Sequence, residues 1–167
     1  YSDAAYTVFV ANGTGATASL SVSPLVTTTY YLRAEGTTSP CLAIVAGPAT
    51  GITITVQQPS VAPTSLVASP TTICNGSSAT LTQVGGSLGT DASWKWCSNS
   101  IYTTLVGTGT GANASLSVSP VATTTYYLRI EGTAAPCTGN INGPGAGVTV
   151  TVNQPSVAPV TLNASVN

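Results

Sequence analysis

Residues 10 to 63 return, with few changes and no insertion, as residues 106 to 159. Val10 to Pro24 reads VANGTGATASLSVSP where Val106 to Pro120 reads VGTGTGANASLSVSP, and TTTYYLRAEG at 27 to 36 returns as TTTYYLRIEG at 123 to 132. The linker PSVAP stands at 59 to 63 and again at 155 to 159. A constant offset of 96 residues (106 − 10) is the signature of a tandem array in which each period folds as one unit. In this frame residues 1–63 are the latter part of one copy plus linker, 64–159 a complete copy plus linker, and 160–167 the first strand of the next. Tyr1 occupies the position of Cys97 and Tyr6 that of Tyr102, so the first copy lacks any counterpart of residues 64–96. The expectation is a window on a longer chain. The rival is completion of the broken copy by strands from another molecule, for which the tail VTLNAS at 160 to 165, matching TSLVAS at 64 to 69, offers one short strand.

Period-two alternation dominates the full copy, with turn residues every eight to twelve positions, and no 3.6-residue periodicity survives the Gly, Pro and Thr spacing. The spacing predicts strands over Ser65–Ser69, Ala79–Val84, Ser93–Cys97, Tyr102–Val106, Ala114–Ser119, Thr125–Glu131 and Val148–Val152. Seven short alternating strands predict an all-β fold of tandem immunoglobulin-like β-sandwich domains in an extended array. Trp94 and Trp96 share one face of the third strand and are the expected centre of the core, while Tyr126, Leu128 and Ile130 face in from the sixth. Tyr126 stands where a tyrosine corner is expected.

Charged residues make up 4% of the chain, against roughly 25% in ordinary soluble domains. Three basic and four acidic residues leave no electrostatic footprint for nucleic acid and no polybasic membrane patch, and no apolar run is long enough to cross a bilayer. Neither nucleic acid nor membrane insertion is expected. The chain has no His to act as a general base. Its carboxylates Asp3, Glu35, Asp91 and Glu131 form no arguable pair, so no catalytic residue is assigned. No C-x-x-C or His cluster points to zinc, and the linkers QQPSVAP and NQPSVAP carry no carboxylate for calcium, so no metal or cofactor is expected.

The segments TTICNGSSATLT, GGSLGTDASWKW, LSVSPVATTTYYLRIEG and VTVTV resemble the Ig-like repeats of very large surface proteins of Bacteroidota, the gliding-motility and adhesion proteins exported by the type IX system. The resemblance covers the whole chain in frame. It implies a secreted, cell-surface or fibre-forming repeat with no catalytic site in the repeat. Many such repeats carry a Cys-Gly-Gly soon after W-x-W and a Cys pair beyond R-x-E-G. Here Cys97 follows Trp96 directly and only Cys137 follows Glu131, so a family pairing does not transfer.

Four cysteines in an exported chain suggest disulfides, and Cys41, Cys74, Cys97 and Cys137 are the candidates. If Cys74 ends the first strand and Cys97 the third, both lie at one pole, which makes Cys74–Cys97 the preferred bond. Cys74–Cys137 is the rival, a Cys137 bond to a preceding copy is a third arrangement, and buried or free thiols with no designed pairing are the fourth. Arg33 and Arg129 lie two residues before Glu35 and Glu131 on the outer face of the sixth strand, with Tyr31 and Tyr127 beside them. Lys95 emerges on the neighbouring strand. Lys95, Tyr127, Arg129, Glu131, Tyr31 and Arg33 therefore form a candidate contact patch for glycan or another subunit, weighed against a plain solvated sheet face with weak cross-strand pairs. Asn12, Asn75, Asn113 and Asn163 begin N-x-S/T triplets, which arise easily by chance in so Ser- and Thr-rich a chain. The expected role is a non-catalytic structural or adhesive array forming an extracellular cell-surface stalk or filament. Its expected partners are neighbouring repeats, copies of itself and surface glycans. The alternative is a set of polysaccharide-binding accessory modules of a larger secreted enzyme.

Overall fold

A computed structural model describes residues 1–15, 17–133, 135, 137–158 and 160–161. Its described residues form thirteen strands and no helix, divided between two compact units, Tyr1–Gln57 and Gln58–Asn167.

The first unit contains two antiparallel pairs. Strand β1 (Thr28–Tyr30) pairs with β4 (Ile52–Ile54), and β2 (Arg33–Glu35) pairs with β3 (Ile44–Ala46). These short strands correspond, at the 96-residue offset, to parts of three strands in the second unit.

The second unit is built from β5 (Ser65–Ser69), β6 (Thr72–Cys74), β7 (Ala79–Val84), β8 (Ala92–Cys97), β9 (Leu105–Gly109), β10 (Leu116–Val118), β11 (Thr124–Gly132), β12 (Gly139–Asn142) and β13 (Val148–Asn153). One sheet has the order β10-β7-β5; the other runs β6-β13-β11-β8-β9, with β12 also pairing β11, and curls into a half-barrel. Alternation fixes which face goes in. On β11, Tyr126, Leu128 and Ile130 are buried while the residues between them are half-buried, and on β8 Ala92, Trp94 and Trp96 are buried with Ser93 and Lys95 facing away. Register sets Leu128 opposite Trp96 and Ile130 opposite Trp94. Leu81, Ala79, Ala68 and Val118 close the core from the three-stranded sheet, and Ile73, Val150 and Val152 from the curled one. The buried indole N–H groups need acceptors. Trp94 Nε1 donates to the Gly111 carbonyl and Trp96 Nε1 to the Ala114 carbonyl, each at 3.0 Å, while Gln83 Oε1 accepts from the Ala114 N–H at 2.6 Å. The 111–114 loop is thereby fastened over the tryptophans. Tyr126 is buried among the same side chains, and burial pushes its pKa up, partly offset by a hydrogen bond with Thr124.

Three expectations change. The strand expected at Tyr102–Val106 begins only at Leu105, because Tyr102 lies in a turn with φ 57°. A strand from Gly139 to Asn142 joins the edge of β11, its GNIN sequence giving too short an alternation to be read as one. Cys74 does not end the first strand: after Ser69 the chain crosses to the other sheet, where β6 adds in parallel to β13. That corrects the preferred Cys74–Cys97 disulfide. Strands β13 and β11 separate β6 from β8, three spacings of about 4.8 Å measured along the sheet, whereas a disulfide needs Cα atoms closer than about 7 Å. No disulfide is present among the described residues: Cys41 and Cys74 are exposed, Cys97 is buried and Cys137 is half-buried. The linker, counted with the earlier copy in the sequence frame, packs with the following one through a bridge from Val61 to Ser87.

Equivalent residues meet opposite fates in the two units. Leu128 is 0% exposed and Leu32 58%; Val150 is 0% and Ile54 38%. The first unit carries, on β1 and β4 and between β1 and β2, the counterparts of inward-facing residues of β11 and β13. Leu128→Ala is expected to destabilise the second unit by about 2–5 kcal/mol. Urea unfolding followed by tryptophan fluorescence reads the loss, since both tryptophans lie in the second unit.

Candidate functional site

The outer face of β8 and β11 carries most of the side chains singled out in the sequence. In the second unit Arg129 stands opposite Lys95, and Tyr127 opposite Cys97. Glu131 is the shared acceptor: Arg129 Nη2 donates to its Oε1, and Lys95 Nζ lies 4.0 Å from its Oε2. All three charged side chains are half-buried. Such partly solvated pairs typically contribute below about 1 kcal/mol each, so their effect lies more in fixing the orientation of Arg129 than in stability.

The structure adds a member that the strand assignment missed. Asn99 Oδ1 accepts hydrogen bonds from the N–H groups of Thr103 and Thr104, at 2.9 and 3.1 Å, and the Tyr102 N–H donates to the Asn99 carbonyl at 3.1 Å. This asparagine-capped turn holds Tyr102 in the left-handed region, where a bulky residue stays only if its surroundings hold it. The turn lays the Tyr102 ring back across the sheet. It meets Tyr127 edge to face, with centroids 6.1 Å apart, and the Arg129 guanidinium carbon lies 5.8 Å from its centre. Tyr102 is thereby buried, and Cys97 with it. Burial pushes the Tyr102 hydroxyl up. Burial also pushes the Cys97 thiol up, with Arg129 and Lys95 pulling down and Glu131 adding to the rise. A buried thiol of raised pKa is a weak nucleophile that packs as a small apolar group.

The first unit builds the same arrangement with one exchange. Asp3 takes the place of Asn99: its carboxylate accepts from the Thr7 N–H at 2.9 Å and the Val8 N–H at 2.6 Å, and Tyr6 sits at φ 56°. Tyr1, at the Cys97 position, donates its hydroxyl to Glu35 Oε1 at 2.8 Å and meets Tyr6 edge to face at 5.5 Å; Tyr6 in turn meets Tyr31 at 6.3 Å. Arg33 pairs with Glu35 and lies 4.5 Å from the Tyr1 ring centre and 5.3 Å from that of Tyr6. The Tyr1 hydroxyl, then Arg33, hold Glu35 below the usual carboxylate range.

Lys95, Tyr127, Arg129 and Glu131 thus come together in one unit, and Tyr31 and Arg33 in the other. Tyr102 and Tyr6 join them, and the Asn or Asp three residues ahead of each tyrosine was the available signal. The cysteines form no disulfide, and no group of three or more metal-ligating side chains is found, among the described residues. Asn12, Asn75 and Asn113 are exposed; Asn163 lies outside the described residues. Chemically, the face presents guanidinium and ammonium donors framed by tyrosine rings, suited to stacking and to hydrogen bonding with polar, weakly charged surfaces. No family model, no curated protein and no solved structure matches the chain.

Two outcomes follow from the exchange between the units. Backbone hydrogen bonds from Val8 and Thr7 lower the Asp3 pKa. Its carboxylate therefore supports the turn above the ordinary Asp value of about 3.9, and the support is lost as pH falls through the lower folded value. Amide exchange at Thr7 and Val8, corrected for intrinsic rates, is expected to accelerate below that range while Thr103 and Thr104, capped by Asn99, stay unchanged. Truncation of Tyr102 to Ala is expected to speed reaction of Cys97 with a thiol reagent at least about tenfold, because the ring no longer excludes it. Cys74 supplies the unchanged internal reference.

Proposed function

We propose that this chain is part of a non-catalytic, extracellular array of immunoglobulin-like repeats that serves as a cell-surface stalk or adhesive filament. The observation that carries the reading is structural recurrence at the 96-residue offset. The capped turn, the left-handed tyrosine and the Tyr–Arg–Glu cluster occur in both copies. A surface that recurs at each period and leaves its cations half-satisfied suits repeated weak contacts along a fibre, where each contributes little and the number of copies sets the total.

Topology supports the domain type. One shared core joins β5, β7 and β10 to β6, β13, β11 and β8 of the curled sheet, with a tryptophan pair on β8 at its centre, a two-sheet packing in keeping with an immunoglobulin-like domain. Composition supports the location: a surface of hydroxyls and amides with 4% charged residues is poor in the repulsion that keeps proteins apart and suits packing against like surfaces. The motifs resembling Bacteroidota surface repeats point the same way.

Negative-stain microscopy of the native material tests the proposal. A fibre with an axial repeat of about 40 Å, one sandwich plus linker at strand rise, is the expected result. Compact particles without that repeat overturn it. Tight, saturable binding of a polysaccharide by the 58–159 unit, abolished by Arg129→Ala, would instead establish an accessory binding module.

A further inference from the structure

The motif Gly85-Gly86-Ser87-Leu88-Gly89-Thr90, so far without a role, wraps the linker that precedes it. Val61 and Ser87 exchange both backbone hydrogen bonds, at 2.9 and 3.0 Å. Thr90 N–H donates to the Gln58 carbonyl at 3.0 Å, Gln58 N–H donates to Thr90 Oγ1 at 3.0 Å, and Gly89 N–H donates to Ser60 Oγ at 2.8 Å. The Thr64 N–H completes the ladder on the Val84 carbonyl at 2.9 Å. Two glycines make the approach feasible. A Cβ on Gly86, at φ +75°, would lie 2.7 Å from the Pro63 nitrogen and 2.9 Å from the Val61 carbonyl oxygen; one on Gly89 would lie 2.2 Å from the Gln58 carbonyl oxygen. All three are backbone atoms that cannot swing aside. Leu88 anchors the loop by packing against the domain core.

The ligand in this clamp is the extended segment Gln58-Pro59-Ser60-Val61-Ala62, and the same five residues recur as Gln154-Pro155-Ser156-Val157-Ala158. There the segment is exposed throughout, with Val157 87% exposed. The Gln154 side chain is already engaged, accepting from Asn75 Nδ2 and donating to the Val121 carbonyl, while its backbone N–H and C=O are the groups a Thr90-type residue takes. We propose that the GGSLGT loop is a dedicated receptor for the QPSVA strand, and that residues 154–158 are a second ligand that docks in the GGSLGT loop of the following repeat in the polypeptide. Recognition is by strand addition: main-chain hydrogen bonds hold the segment, the Ser60 and Thr90 hydroxyls set its register, and the two glycines exclude any loop with side chains at those places. The following repeat is favoured over a second molecule because the loop at 85–90 is already filled by its own chain's linker. The inference rests on the array reading.

The test appends a second copy of residues 64–159 after Pro159 of the full chain, in register, and compares backbone amide exchange with the original. Val157 is expected to slow at least about tenfold, to the protection of Val61. Gly86→Val made in the appended copy alone should return it to fast exchange, and the milder Ser156→Ala should give an intermediate rate. Protection at the appended counterparts of Trp94 and Trp96 reports whether the added repeat folds. If it does not, the array reading falls and the clamp with it. A folded added repeat with Val157 still exchanging freely overturns the clamp while leaving the array intact. Protection that survives Gly86→Val, or that depends on protein concentration, also overturns it, since the contact would then lie elsewhere or come from another molecule.

Discussion

Two indoles on one strand organise the complete repeat. Trp94 and Trp96 are the largest fully buried side chains, and because they alternate with Lys95 they commit β8 to one orientation in the sheet. Their N–H groups, unable to reach water, draw the 111–114 loop over the core, and their register partners Leu128 and Ile130 commit β11 in turn. With both strands fixed, the charged and tyrosine residues between the inward ones are pushed together on the opposite face. Core and outer cluster are thus two consequences of one alternation.

The first unit carries counterparts of these inward residues. Leu32, Tyr30 and Ile54 stand at the positions of Leu128, Tyr126 and Val150, and none of the three is buried among the described residues. Its outer cluster nevertheless assembles. The capped turn and the left-handed Tyr6 are held by local hydrogen bonds that the Thr7 and Val8 N–H groups donate to the Asp3 carboxylate, which do not depend on the core. Local chemistry shapes the surface motif; burial requires the whole domain.

The linker obeys the same division. Pro59 and Pro63 mark it as a joint when read alone, and proline stiffness is all that its composition implies. In the structure it is a segment hydrogen-bonded to the following unit, gripped by a loop whose glycines look like ordinary turn residues until the backbone they accommodate is placed beside them.

From sequence alone, the 96-residue offset, the all-β character, the inward set of Trp94, Trp96, Tyr126, Leu128 and Ile130, and the clustering of Lys95, Tyr127, Arg129 and Glu131 were all legible, because each follows from periodicity within one or two strands. What eluded it depended on contacts between segments distant in sequence. Cys74 left the first strand because β6 found an open edge on β13; Tyr102 left its expected strand because Asn99 capped a turn; Gly86 and Gly89 acquired a partner some 25 to 30 residues upstream. Period-two patterning says which way a side chain points but not which strand lies next to it. Only the tertiary structure, by deciding strand neighbours, decided which cysteines lie apart, which tyrosines meet and what the linker touches.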